Sequence, residues 1–160
     1  MAKWYDARGL TFGKMLDIPP VWLVCSVVLV WLQTRLLPGL TAPVALGQTL
    51  AVLLVFAGIG LMIWAVLAFQ AHQTSAVPHQ LPERIITTGP FAISRNPIYL
   101  GDVLVLAAAV LWWGAWPAIV IVLGFIAILH RRFIAPEEAR MKESFASEFE
   151  AYQGNTRRWL

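Results

Sequence analysis

Arg95-Asn96-Pro97 and Glu137-Glu138 are the residues of this chain best suited to chemistry, and each set borders a long apolar run. Asn is a strong helix N-cap and Pro fits the first helical position, so a helix starting at Pro97 is expected, capped by Asn96. Its unpaired N–H groups and positive dipole end then face the preceding loop, where Arg95 stands; a carboxylate or phosphate suits that spot. Glu137-Glu138 follow Pro136 and either complement the start of a new helix or hold a cation. Tyr99, Gly101 and Asp102 lie within the first two turns after Pro97. Gly101 permits close approach of a helix or a ligand, and Asp102 reads as a solvated interfacial group or as a site residue. Arg95 and Tyr99 are also ordinary interfacial residues, and Gly58-Ile59-Gly60 fits close helix packing. His130 is a candidate general base, being of the residue type that exchanges a proton near neutral pH, and equally an interfacial histidine. Arg131-Arg132 can hold a lipid phosphate or a carboxylate.

The elements that position these groups follow from hydropathy. Of 160 residues, 59% are hydrophobic and 13% charged, about half the charge of a soluble domain. Residues 18–37 and 50–69 are membrane-length runs, parted by Pro38-Gly39 and Pro43. Apolar character resumes from Pro97 to Arg131, too long for one crossing, and Trp113-Gly114-Ala115-Trp116-Pro117 interrupts it. A tight hairpin is expected there, with Trp112, Trp113 and Trp116 at the interface. The third and fourth spans are then 97–112 and 117–134. Thr88-Gly89-Pro90 reads as a turn folding the 70–96 loop over the helix start. Met141, Phe145, Phe149 and Tyr152 make one stripe on a helix over 137–152, lying on the membrane surface or back over the bundle. The terminal Arg157-Arg158-Trp159-Leu160 suits lipid headgroups.

The fold class expected is all-α integral membrane: four transmembrane helices, a polar cytoplasmic loop and a C-terminal amphipathic helix, in one domain over 1–160. Eleven Lys and Arg fall in the two tails and the 70–96 loop, against Arg35 alone on the other side, which puts both termini in the cytoplasm. Cys25, the one cysteine, excludes an internal disulfide and any CxxC pattern. The N-terminal stretch does not read as a signal peptide. No metal site and no nucleic-acid partner is expected, and an oligomer is possible.

"TTGPFAISRNPIYLG", an apolar hairpin, "PEEARMKESFASEFEAY" and a terminal "RRWL" together resemble the membrane methyltransferases, over roughly 58–160. That group holds the phospholipid N-methyltransferases and the isoprenylcysteine carboxyl methyltransferases, and the Arg-Asn-Pro form resembles its bacterial phospholipid-type members. The resemblance implies S-adenosyl-L-methionine as cofactor, S-adenosyl-L-homocysteine as product, and a site at the cytoplasmic face of what would be a bacterial inner membrane. It implies cofactor contacts at Ile86, Gly89, Pro90, Arg95, Asn96, Pro97, Tyr99, Gly101, Glu137 and Glu138, and at Gly58 and Gly60. His130, Arg131 and Glu138 would serve catalysis. The acceptor implied is a lipid amine, with a prenylcysteine carboxylate or a small thiol as alternatives. Arg95-Asn96-Pro97 replaces the Arg-His-Pro of the prenylcysteine enzymes, Glu83 aligns with their histidine, and Phe145-Ala146 stands where Phe-Gly is frequent. Two non-methylating readings are a haem subunit using His72 and His130, and a scaffold.

Overall fold

The computed structural model of the chain describes residues 17–74 and 84–160. Lys3, Arg8, Lys14, Glu83 and the 75–83 part of the polar loop lie outside the described residues. Regular structure among those described is entirely helical. Helix α1 is Pro19–Leu36, α2 Ala45–Ala71, α3 the single turn Pro90–Ile93, α4 Pro97–Trp113, α5 Ile119–Leu129 and α6 Ala135–Asn155. Three stretches are long and apolar enough to cross a membrane: α1, α2 and the continuous helical run Trp116–Asn155. At 17 residues, α4 is about 25 Å long, somewhat short of a bilayer core. Leu36, Leu46 and Phe56 are each at least 70% exposed, an outward apolar surface that lipid covers. The chain is an integral membrane protein.

Helices α2 and α4 form the main contact. A Cβ on Gly58 would sit 2.8 Å from the Gly101 carbonyl oxygen, and one on Gly101 would sit 2.7 Å from that of Gly58. The two backbones therefore cross in direct contact, as small residues permit where no water drives helices together. Packing uses up both glycines. Gly60 faces the other way, with nothing within 4 Å of a Cβ built on it. This is the close packing that Gly58 was expected to allow, while the Gly60 side of the helix stays open.

Helix α4 ends on Gly114, at φ 59 and ψ 32. Gly114 N–H donates to Leu111 and Ala115 N–H to Val110, the paired bonds of a glycine-terminated helix. The turn packs on the α1–α2 connection, where Ala42 N–H donates to the Gly114 carbonyl at 3.0 Å. The core beyond it gathers Val30, Leu106, Val110, Val122, Phe125, Leu129 and Phe133 from α1, α4 and the last helical run.

Pro136 does not open a separate helix. The chain passes from α5 through a π-helical turn, His130–Ile134, straight into α6. A proline inside a helix lacks one N–H and crowds the preceding turn; the wider π turn just before it relieves that conflict. The kink comes later. Ala146 takes φ 30 and ψ −105 inside α6, a backbone state L-residues avoid. This is the position where Phe-Gly is frequent in the resembling sequences.

Replacing Ala146 by Gly is expected to raise stability by about 1 kcal/mol, strain relief outweighing the entropy cost, read as an upward shift of the detergent melting curve. Gly114→Ala would drive a Cβ to 2.3 Å from Ala42 and Pro43 backbone atoms and is expected to cost about 3 kcal/mol or more in the same melt.

Candidate active site

The charged groups meet at one end of the bundle, where α4 begins. The α3 turn stops at Ser94, whose side chain is fully buried. Ser94 Oγ accepts from Asn96 N–H and donates to the Arg158 carbonyl, both at 3.1 Å. Asn96 Nδ2 also donates to the Arg158 carbonyl at 3.1 Å, and Arg95 N–H donates to that of Arg157 at 3.0 Å. Residues 156–158 thus lie along residues 94–96 as a strap. This overturns two expectations. Asn96 does not cap α4 with its side chain, because the amide is spent on the strap, so no side-chain cap bond closes the start of α4 among the described residues. Arg158 and Trp159 turn inward rather than to headgroups; Trp159 packs against the cluster holding Tyr99 and Phe133.

The strap delivers Arg158 to Glu138. Its Nε and Nη2 donate to the two carboxylate oxygens at 3.1 and 2.6 Å, a bidentate pair of the strong kind. That hydrogen bond, opposed by partial burial, holds the Arg158 guanidinium above its ordinary pKa. Arg95 approaches the same carboxylate from the other side, Nη2 to Oε1 at 3.4 Å. One carboxylate between two guanidiniums leaves one positive charge in excess. Glu137 Oε1 accepts from the Tyr99 hydroxyl at 2.8 Å, and the Arg140 charge also lies close enough to act on Glu137. Tyr99 and Asp102, three residues apart on α4, share a face.

Three buried polar atoms here have no partner among the described residues: Arg95 Nε, Arg140 Nη2 and Asp102 Oδ2. Unpaired buried polar groups are costly and rare; Arg95 Nε lies just before the start of α4, and Asp102 Oδ2 more than a turn inside it. The donors suit an anion and the acceptor a cation.

Arg95, Tyr99, Glu137 and Glu138 are brought together, with Pro97 buried below them. Gly89, at φ 61, leads into α3 with the Trp64 indole 3.6 Å from a Cβ built on it. Pro90 is fully buried. Ile86 joins a second apolar cluster with Ala65, Ile85 and Phe91, and Met141, Phe145, Phe149 and Tyr152 pack onto it. The stripe of α6 therefore folds over the loop, held by the Tyr152 hydroxyl donating to the Phe91 carbonyl at 2.7 Å. His130 is half-buried and Arg131 exposed in the π turn; neither bonds to the cluster. Arg132 is engaged with Asp17 at 3.0 Å and lies over the Trp22 ring, tying the start of α1 to this end. His72 Nδ1 is 2.8 Å from the Ala68 carbonyl oxygen, a bond within its own helix. Ser94, Arg140 and Arg158 are the residues sequence reasoning missed, and Asp102 is one it left open between an interfacial group and a site residue. Asp102 carried a signal, being an acid in an apolar helix; Arg158 carried none.

The phospholipid methyltransferase family model matches residues 46–148. The chain belongs to the phospholipid methyltransferase family. The match starts at the first turn of α2, takes in both sides of the cluster as far as Glu138, and stops within α6, before the strap. An uncharacterized protein of Haemophilus influenzae is 36% identical over 66 residues, which are 39% of this chain and the whole of that protein. No solved structure matches the chain significantly. This family member is thus a membrane methyltransferase of lipid-like substrates.

If the inward Arg158 pairing matters, two adjacent arginines should differ. Arg158→Ala leaves Glu138 half-compensated and is expected to cost about 2 kcal/mol. Arg157→Ala, at an exposed side chain, is expected to cost under about 0.5 kcal/mol. Parallel melts of the two variants check this, and equal losses would contradict it.

Proposed function

We propose that this family member transfers a methyl group from S-adenosyl-L-methionine to a lipophilic acceptor at the cytoplasmic membrane interface, a phospholipid amine being the acceptor favoured. The observation that carries the reading is the Glu138 arrangement: two arginines on one carboxylate, a surplus positive charge, and the unpaired Arg95 Nε beside an uncapped helix start. The methionine carboxylate of the cofactor needs such a place. Its ammonium and ribose hydroxyls need acceptors, and Glu137 supplies a carboxylate next to Tyr99, while Glu138 holds the two arginines in place.

When bound, the cofactor supplies a methyl carbon already activated by its sulfonium. The chain's own task is then chiefly to bind and orient. Arg95, positioned by Glu138, and the α4 N-terminus hold the carboxylate, Glu137 the opposite charge, and the α6 stripe closes over the loop to exclude water. Arg131, exposed at the same end, is available to a lipid phosphate. The eleven-to-one distribution of basic residues supports a cytoplasmic site with both termini inside; the bacterial inner membrane is what the resemblance implies.

Calorimetric titration of detergent-solubilised protein with S-adenosyl-L-homocysteine tests the reading. Wild type is expected to bind, and Arg95→Ala and Glu138→Ala each to lose about tenfold or more in affinity. No heat from correctly folded wild type, or unchanged affinity in both variants, would contradict it.

A further inference from the structure

Asp102 is the one acid of α4 and is 3% exposed, with no partner for its Oδ2 among the described residues. A carboxylate in such surroundings is expensive. An apolar groove of about 450 Å³ opens between α1, α2 and α4, but its α4 lining runs from Val105 to Trp113 and Asp102 is not part of it.

The helix neighbours of Asp102 show which way it faces. One turn back stand Ile98 and Tyr99, at spacings of four and three. Ile98 packs on the loop cluster of Ala65, Ile85, Ile86 and Phe91. Tyr99 packs in the cluster holding Phe133 and bonds to Glu137 at 2.8 Å. One turn on, Leu106 is fully buried in that same cluster. Asp102 therefore lies on the seam between the loop and the last helical run, one turn below the Tyr99–Glu137 pair. Its charge is close enough to act on the Tyr99 hydroxyl.

Charged groups thus follow one another along α4. Arg95 and the helix start come first, then Glu137 at the level of Tyr99, then Asp102, a rise of about 4.5 Å beyond Tyr99. The order is positive, negative, negative. A matching ligand carries an anionic group at one end and two cationic centres behind it. A methionine sulfonium has that order: carboxylate, ammonium and, a short alkyl chain further on, the sulfur.

We infer that Asp102 is the counter-charge for that sulfonium, and that it makes the site prefer the charged methyl donor to its neutral product. The assignment rests on the methyl-transfer reading and adds what Arg95 and Glu137 do not supply. Donor and product share the same carboxylate and ammonium, so those two residues hold both alike. Only the sulfur differs. Methyl transfer carries the carbon to the acceptor and leaves the electron pair of the broken C–S bond on sulfur, which is then neutral. Asp102 faces a cation before transfer and none after it, so the buried carboxylate is again uncompensated and the product is held less tightly.

Calorimetric titration of the detergent-solubilised protein with two unreactive ligands tests this without turnover. S-adenosyl-L-homocysteine carries a neutral sulfur; sinefungin carries a protonated amine on carbon in the sulfonium's place. Wild type is expected to bind sinefungin about tenfold more tightly. Asp102→Asn is expected to bind the two with equal affinity, by weakening for sinefungin. Glu137→Gln is expected to weaken both ligands alike and keep the tenfold ratio, which separates a charge at the sulfur position from a charge elsewhere in the site. Equal affinities in wild type, a preference that survives Asp102→Asn, or a ratio lost in Glu137→Gln overturns the assignment. The wild-type comparison decides it even where a variant misfolds. The two readings are told apart by the same titrations: equal binding of both ligands removes the role of Asp102 and keeps the cofactor site, whereas no heat from either ligand removes both.

Discussion

The polar end of this protein depends on the strap formed where residues 156–158 lie along residues 94–96. Its three hydrogen bonds place the Arg158 carbonyl on Ser94 and Asn96, and the Arg157 carbonyl on Arg95 N–H. Without them Arg158 has no reason to reach Glu138. With Arg95 alone that carboxylate, 13% exposed at its side chain, would be a buried charge with one distant partner. Buried ions hold a structure together only when their partners are complete. The strap completes them, and it does so from outside the stretch that matches the family model.

A second constraint comes from the helix that carries the glutamates. The π turn His130–Ile134 lets the chain run through Pro136 without breaking. One residue more or less in such a turn rotates the rest of the helix by about 100°. The turn therefore sets which way Glu137 and Glu138 point, and it points them at Tyr99, Arg95 and Arg158. The Arg132–Asp17 pair fixes the same turn against the start of α1. On the membrane side, the Gly58–Gly101 crossing does the equivalent work, bringing α2 against α4 closely enough that the apolar groove opens beyond it.

In the proposed reading these constraints divide one surface between two molecules. The arginine-rich side, with its surplus positive charge, faces the aqueous loop and suits the carboxylate of a soluble cofactor. The unpaired acid Asp102 lies further along α4, with no partner for its Oδ2 among the described residues. Membership of the phospholipid methyltransferase family makes a lipid-like substrate the second of the two molecules.

Composition and local pattern carried much of this architecture. Apolar runs, prolines and Gly114 determined an all-helical membrane chain with a sharp turn near residue 114, because hydropathy and backbone preference are properties of neighbouring residues. The pairing of Arg95 with the acidic pair was legible in part, since both sets border apolar runs at one expected end. Two things were not: Asn96 gives up its cap, and Arg158 turns inward. Two others were open between alternatives that the fold decides: Gly58 and Gly101 pack on each other, and the α6 stripe covers the loop. Each is decided by contacts between residues 20 to 64 positions apart, or by two backbones meeting where neither side chain exists. Such contacts leave no periodicity behind them: a cap-forming amide and a headgroup-seeking arginine look the same in sequence whether they meet water, lipid or each other. Only the folded chain, by setting distances, selects the partner.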